Sequence, residues 1–277
     1  MRNLEWNNWV IIKANGGFME RLKPQIGICQ WCLPEQDENC FILAKQMGYE
    51  GVELDFGLRN PKCDLRNPVI AERYKESADN CGMVVPSIAL NFFHITKEHA
   101  ESELYEILDL AIERALLLGA KILQLCSFGE SAISSENDFL KTIKILQYAC
   151  KTAEKHGIKI ASENQLDAWD NLRLIERVAS DNFGIYFDTA NPALFDGRDG
   201  TQLLKELYEH VWEVHVKDYT ITGNKFCKPL WQGECDFSST IEYLRKQRYS
   251  GWLVVENSLL LGELANDLKR LREYFEI

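Results

Sequence analysis

The stretch IKIASENQLDAWDNLRLIERVASDNFGIYFD, residues 158–188, decides the fold. It holds two short runs rich in β-branched and aromatic residues, 158–163 and 183–188, on either side of a longer segment with the composition of a helix. A strand, a helix and a second strand in this order predict two parallel strands joined by a crossover helix. Each predicted strand ends in a carboxylate, Glu163 or Asp188, so the two acids are expected at the same edge of the sheet.

The same strand-then-helix unit recurs from residue 25 to the end of the chain. The predicted strands cover 25–29, 51–56, 84–90, 121–127, 158–163, 183–188, 211–216 and 251–256. The predicted helices cover 37–47, 68–81, 97–118, 136–156, 169–180, 200–209, 238–247 and 262–275. Eight such units in about 250 residues match an α/β fold, the (β/α)8 TIM barrel, built as a single domain on a parallel sheet.

The rival architecture is an open doubly wound sheet, which usually carries a glycine-rich phosphate loop after its first strand. Here the first predicted strand runs into the sequence GICQWCLPE, residues 27–35, which does not resemble such a loop. Residues 1–23 predict an N-terminal extension that need not be native, with Met19 as a candidate native start. Residues 24–277 form the predicted barrel.

The net charge and the cysteine content limit the kinds of partner and the cell compartment to be expected. The chain has 277 residues and a formal charge of −11, so it would repel a phosphate backbone or an anionic membrane surface, and neither nucleic acid nor membrane is expected as a partner. No apolar run reaches the ~18 residues of a membrane span. The nine cysteines are odd in number and irregularly spaced, which favours reduced thiols and a cytoplasmic protein. A homo-oligomer is compatible with this composition.

Four of the predicted strands end in side chains that bind metals. Since the carboxyl ends of barrel strands meet at one face, Glu163, Asp188, His215 and Glu256 are expected to converge. Three crowded carboxylates would repel one another unless a cation lay between them. Taken singly, each acid is equally well explained as a helix cap, but four in succession predict one divalent metal ion, Mn²⁺, Mg²⁺, Co²⁺ or Zn²⁺.

The segment VWEVHVKD, residues 211–218, ends with three chargeable groups close together. Strand alternation predicts that His215 and Lys217 point into the barrel mouth and that Val216 points away. Lys217 would then face the substrate or a ligand carboxylate. Asp218 is expected either to anchor the following loop or to orient His215. A surface ion pair is the alternative for Lys217 and Asp218.

Six short motifs together resemble one known family. They are GYEGVELDF, IASEN, FDTAN, VHVKD, WQGECDF and GWLVVE, and they span nearly all of the chain after Pro24. In this order they resemble the xylose isomerase-like TIM-barrel superfamily of sugar phosphate isomerases and epimerases, most closely the ketose and ketose-phosphate 3-epimerases. A glycine is missing from the Gly-Glu-Gly turn of that branch, which here reads Gly233-Glu234-Cys235, and GWLVVE is similar to inosose dehydratases as well.

The resemblance implies a metal-dependent isomerase of carbohydrate metabolism, acting on a small sugar or sugar phosphate. The metal would be held by Glu163, Asp188, His215 and Glu256. Glu163 and Glu256 would be the catalytic pair, moving a proton to and from carbon through a metal-bound enediolate. Ketose 3-epimerisation and aldose–ketose isomerisation both fit this chemistry. An inosose-type keto-polyol dehydratase and a non-catalytic sugar-binding barrel are the alternatives.

Further residues near the predicted strand ends are candidates for binding the substrate. Tryptophan faces suit the C–H bonds of a sugar, amides and acids bond its hydroxyls, and each of these residues could equally serve packing or a turn. The candidate substrate-binding residues are Lys217, Asn191, His94, Glu53, Trp31 and Trp169.

Overall fold

The structure, a computed structural model, describes residues 23–93, 95 and 100–277. The predicted N-terminal extension, apart from Lys23, and the candidate site residue His94 lie outside the described residues. Within the described part, no helix is both long enough and apolar enough to cross a membrane.

Eight parallel strands close into a barrel, which confirms the predicted fold. The strands of the chain are β1 Gln25–Cys29, β2 Gly51–Asp55, β3 Ser87–Leu90, β4 Ile122–Ser127, β5 Lys159–Asn164, β6 Phe183–Asp188, β7 Val211–Val216, β8 Asp218–Thr220, β9 Phe226–Lys228 and β10 Trp252–Val255. Around the barrel the order is β1, β10, β7, β6, β5, β4, β3 and β2, while β8 and β9 form a separate antiparallel hairpin.

Helices between the strands cover the outside of the barrel. They are α1 Cys40–Met47, α2 Pro68–Cys81, α3 Glu101–Leu118, α4 Glu136–Glu154, α5 Ala168–Val178, α6 Asn191–Asp196, α7 Gly200–Leu207, α8 Phe237–Lys246 and α9 Leu261–Phe275. Because helices cover the outer face and side chains fill the inside, the strands are buried on both faces.

Several elements differ from their predicted bounds, by one to four residues. The third strand begins at Ser87, three residues later than predicted, because Pro86 has no N–H to give to a neighbouring strand. Val84 forms only an isolated bridge to Gly51. The short helix α6 was not predicted. It begins three residues after Asp188.

One irregularity in the barrel ladder affects the height of the site residues. Ile185 of β6 pairs with Val211 of β7, but the next residue, Tyr186, pairs with Glu213. Trp212 is therefore an extra residue on β7, a β-bulge. Beyond the bulge the ladder is regular, and it places Asp188 directly across from His215.

Candidate metal and active site

The four predicted metal ligands meet at the carboxyl ends of the barrel strands. Glu163 lies on β5, Asp188 ends β6, His215 lies on β7 and Glu256 follows β10. One ligand atom from each lies within 4.8 Å of the corresponding atoms of the others. Glu163, Asp188 and His215 are buried, whereas the side chain of Glu256 is 19% exposed at the mouth. We call these four residues the ligand cluster.

His215 links the ligand cluster to a carboxylate beneath it. Its Nε2 lies 2.6 Å from Oε2 of Glu53. Its Nδ1 faces the other way, 3.3 Å from Glu256 Oε2, 3.7 Å from Glu163 Oε1 and 3.9 Å from Asp188 Oδ2. Glu53 can thus accept a hydrogen bond from Nε2–H, and this fixes the tautomer that leaves a lone pair on Nδ1.

The donor set of the ligand cluster fits a divalent cation. Nδ1 of His215 is a buried nitrogen that has no hydrogen-bond partner in the part of the chain that the structure describes. Buried polar atoms are rarely left without a partner, so this nitrogen is a candidate metal ligand. Three carboxylates and one imidazole suit Mn²⁺, Mg²⁺, Co²⁺ or Zn²⁺.

Two amides hold Glu163. Asn191 donates from Nδ2 to Oε1 at 2.6 Å, and Gln124 of β4 donates from Nε2 to Oε2 at 2.5 Å. Burial raises the pKa of Glu163 to about 7, although His215 opposes the shift. The carboxylate is therefore fixed in direction, and in the metal-free protein it takes up a proton readily.

A lysine and a tryptophan hold Glu256. Lys217 donates from Nζ to Oε2 at 2.7 Å, and Trp31 donates from Nε1 to Oε1 at 3.1 Å. Burial alone would raise the pKa of Glu256, but Lys217 and His215 lower it to about 2. The two glutamates of the ligand cluster thus have very different proton affinities.

His215 responds to the same charges. Burial alone would lower its pKa, but the carboxylates of Glu256 and Glu53 raise the pKa well above its usual value. In the metal-free protein these carboxylates therefore favour the protonated imidazole. A proton on Nδ1 and a metal ion on Nδ1 exclude each other, so metal binding is expected to release a proton.

Asp188 is oriented by the helix that follows it. Its Oδ1 accepts hydrogen bonds from the backbone N–H groups of Ala190 at 2.8 Å and Asn191 at 2.6 Å. Asp188 therefore holds the turn that leads into α6. Its other oxygen, Oδ2, remains directed at His215 and at Lys217, whose Nζ is 3.0 Å away.

The predicted substrate-binding residues are placed differently from one another. Trp31 lies at the mouth, with its ring edge-on to His215 at a centroid distance of 6.1 Å. Asn191 and Lys217 contact the ligand cluster, as described above. Trp169 lies in the first turn of α5 and is 76% exposed, so its contact with substrate stays a prediction. His94 lies outside the described residues.

Glu53, another predicted substrate-binding residue, lies beneath the ligand cluster and contacts His215. The residue is fully buried, and its carboxylate accepts hydrogen bonds below His215 from Ser87 at 3.0 Å and Tyr186 at 3.2 Å. The physical reason is its height on β2: Glu53 pairs with Cys29, inside the barrel rather than at its rim. In this position Glu53 supports His215, and its contact with substrate stays a prediction.

A polar layer under the ligand cluster was missed by sequence reasoning. The Ser87 hydroxyl lies 3.0 Å from Glu53 and 2.9 Å from Glu213 and can donate its one hydrogen to either carboxyl group. The Tyr186 hydroxyl lies within reach of the same two groups. Burial and the charge of Glu53 raise the pKa of Glu213 well above its usual value, which favours its protonated form. The sequence signal that could have revealed this layer is a polar side chain inside a buried strand, as at Ser87 and Glu213.

Asp218 anchors the loop after β7 and does not contact His215, the second role considered for it. Its carboxylate accepts backbone hydrogen bonds from Tyr219 at 3.0 Å, Gly233 at 2.8 Å and Cys235 at 3.3 Å. A Cβ at Gly233 would lie 2.1 Å from Asp218 Oδ1, so only glycine allows this approach. The Gly-Glu-Cys turn is thereby tied to the end of β7.

Replacing Asp218 with alanine is expected to lower the free energy of unfolding by about 3 kcal/mol, because buried backbone N–H groups would lose their acceptor. Asp218→Asn keeps one carbonyl oxygen and should lose less than half of that. The measurement is urea unfolding followed by circular dichroism, with exposed Asp181→Ala as the matched control. Equal stability of Asp218→Ala and the control would contradict the anchoring role.

The fold and the ligand cluster define a (β/α)8 barrel protein with a candidate metal centre at the mouth of the barrel. A family model described as a xylose isomerase-like TIM barrel matches residues 41–274, and the chain belongs to this family. The predicted family is thereby confirmed.

Three comparisons illustrate the range of the family. The 2-epi-5-epi-valiolone 7-phosphate 2-epimerase of Actinoplanes sp. is 32% identical over 202 residues, which cover 70% of this chain and 72% of the relative. Inosose dehydratases of Salmonella agona and Salmonella typhimurium are 26% identical over 156 residues, 49% of this chain and about half, 52%, of theirs. The crystal structure of a D-tagatose 3-epimerase-like protein shares the fold, with a TM-score of 0.74, 17% identity and coverage of 91% of this chain and 97% of that chain.

Proposed function

We propose that this protein is a divalent-metal-dependent epimerase that inverts a carbon beside the ketone of a polyhydroxy ketone, either a sugar or a sugar phosphate. The observation that carries the proposal is the ligand cluster, which brings two glutamates and two further metal-ligand side chains within 4.8 Å. The epimerase from Actinoplanes sp., 32% identical to this chain, supports the reaction type.

Glu163, Asp188, His215 and Glu256 would hold the metal. A bound divalent cation would act as a Lewis acid that polarises the substrate carbonyl and makes the neighbouring C–H bond more acidic. The side chains of the site would orient the two glutamates, exclude bulk water and transfer the proton.

Glu163 and Glu256 would exchange protons with one carbon from two sides. They belong to β5 and β10, which are separated by β6 and β7 around the barrel. In an epimerisation, one carboxylate takes the proton from the carbon and the other returns a proton to the opposite face. The hydrogen bonds from Asn191 and Gln124 to Glu163, and from Trp31 to Glu256, hold both carboxylates in fixed directions.

Deuterium uptake from solvent tests the proposal. The protein is incubated in D₂O with Mn²⁺ and a panel of free ketoses, ketose phosphates and inosose, and the products are examined by mass spectrometry and NMR. We expect one substrate to gain a single deuterium on the carbon beside its ketone, with a new epimer appearing at the same time. A panel that includes a thermally stabilising ligand but shows no deuterium uptake would instead indicate a non-catalytic sugar-binding barrel.

A dehydratase is the second candidate, and the match to inosose dehydratases favours it. The first step would be the same removal of a proton beside a ketone, followed by departure of a neighbouring hydroxyl. The same incubation separates the two reactions, because a dehydratase product is lighter by one water whereas an epimer keeps the mass of the substrate apart from deuterium.

A further inference from the structure

Lys217 is buried among the carboxylates of the ligand cluster. The residue is 8% exposed, and its Nζ lies 2.7 Å from Glu256 Oε2 and 3.0 Å from Asp188 Oδ2. These oxygens are the same ones that face Nδ1 of His215. The ammonium group therefore contacts one oxygen of each of these two candidate metal ligands.

The contact of Lys217 with Glu256 and Asp188 changes the net charge of the ligand cluster. Glu163, Asp188 and Glu256 carry three negative charges when ionised, a divalent cation offsets two of them, and the Lys217 ammonium offsets the third. Without Lys217 the metal-loaded centre would keep a net negative charge in a buried place. That charge would oppose the negative charge that a ketone gains when it loses a neighbouring proton.

We propose that Lys217 is a fixed counter-charge of the candidate metal centre: it weakens the binding of a divalent cation and offsets the negative charge that the loaded ligand cluster would otherwise keep. The catalytic half of this inference rests on the proposed function. The two effects point in opposite directions, and this makes the inference testable. A lysine that merely held the carboxylates in place would weaken metal binding when removed, whereas removal of a counter-charge must strengthen it.

The test is a Mn²⁺ titration of the full-length metal-free protein, with free Mn²⁺ measured by electron paramagnetic resonance. In Lys217→Met and Lys217→Gln we expect the Kd for Mn²⁺ to fall about 10- to 100-fold, because the ammonium no longer repels the cation. Lys217→Arg keeps the charge and should stay within about 3-fold of the wild-type Kd. At saturating Mn²⁺, Lys217→Met should exchange deuterium about 100-fold more slowly than wild type.

Lys228→Met is the matched control, since it removes the same charge from the excursion that follows β7. Lys228 is only half-buried, and its Nζ lies over the ring of Phe226 at 4.6 Å. Solvent screens such a cation, so its loss should leave the Kd for Mn²⁺ unchanged. A Kd that falls equally in Lys228→Met and Lys217→Met would show that net charge alone is responsible and would overturn the inference.

The remaining outcomes also decide the matter. Equal or weaker Mn²⁺ binding by natively folded Lys217→Met and Lys217→Gln would overturn the inference, as would a wild-type protein that binds no Mn²⁺. If either neutral variant folds only with Mn²⁺ present, the inference is supported, because the cation then replaces the ammonium group. If Lys217→Met and Lys217→Gln both fail to fold even with Mn²⁺, the inference is overturned. Tighter Mn²⁺ binding together with no deuterium uptake by the wild type would defeat the proposed function and leave the charge effect standing.

Discussion

Replacing Glu163 with glutamine is expected to slow deuterium exchange into the substrate by about 1,000-fold at saturating Mn²⁺. An amide matches the size of the carboxylate but cannot accept a proton from carbon. Glu256→Gln should cause a loss of similar size if both glutamates take part in proton transfer. The measurement is the initial rate of deuterium uptake by NMR, at Mn²⁺ concentrations raised until the rate no longer increases.

The design separates a chemical loss from a binding loss. Both glutamates are candidate metal ligands, so the Kd for Mn²⁺ is measured for each variant before its rate is compared. Glu154→Gln, an exposed change at the end of α4, is the control and should exchange at the wild-type rate. If Glu163→Gln and Glu256→Gln both retain the wild-type exchange rate, the catalytic assignment is wrong.

Removing divalent metal is the other change with a very large expected effect. Dialysis against a chelator should reduce deuterium exchange by about 1,000-fold or more, because a Lewis acid at the carbonyl contributes several kcal/mol to the barrier. Addition of Mn²⁺ should restore the rate. In Asp188→Asn, we expect the Kd for Mn²⁺ to rise about 100-fold, since a neutral amide is a much poorer ligand for a hard cation.

Asparagine is the informative replacement at this position. Oδ1 of Asp188 accepts hydrogen bonds from the backbone N–H groups of Ala190 and Asn191 before α6, and an asparagine oxygen can accept the same bonds. The variant should therefore unfold at nearly the wild-type urea concentration while losing affinity for Mn²⁺. A chelated protein that keeps its full exchange rate would rule out a metal-dependent reaction.

The barrel was predictable because its signal repeats. Eight apolar runs, each followed by a helical stretch, leave few alternative topologies, and buried parallel strands are apolar on both faces. Glu163, Asp188 and His215 could be located from the same pattern, because in parallel barrels the last residues of the strands face a common mouth. Glu256 follows its strand by one residue and was found by the same rule.

The residues around the ligand cluster could be predicted only in part. Trp31, Asn191 and Lys217 were named as candidates and do contact the cluster glutamates.

The hydrogen bond between Glu53 and His215 was not predicted, because the height of a residue inside a barrel depends on the stagger between strands, which one sequence does not show. The same limit hid Ser87 and Glu213, which meet across the barrel although 126 residues separate them. Gln124 was overlooked because a single amide in an apolar strand does not reveal its partner.

The direction of His215 in the ligand cluster depends on the β-bulge near the start of β7, at the opposite end of the barrel from the cluster. If the ladder between β6 and β7 ran straight on from Ile185 and Val211, Val214 would stand across from Asp188, and His215 would turn its imidazole to the helix side. The surplus Trp212 prevents this by advancing its strand one step. We expect a variant without this bulge to keep the barrel but to lose His215 from the ligand cluster.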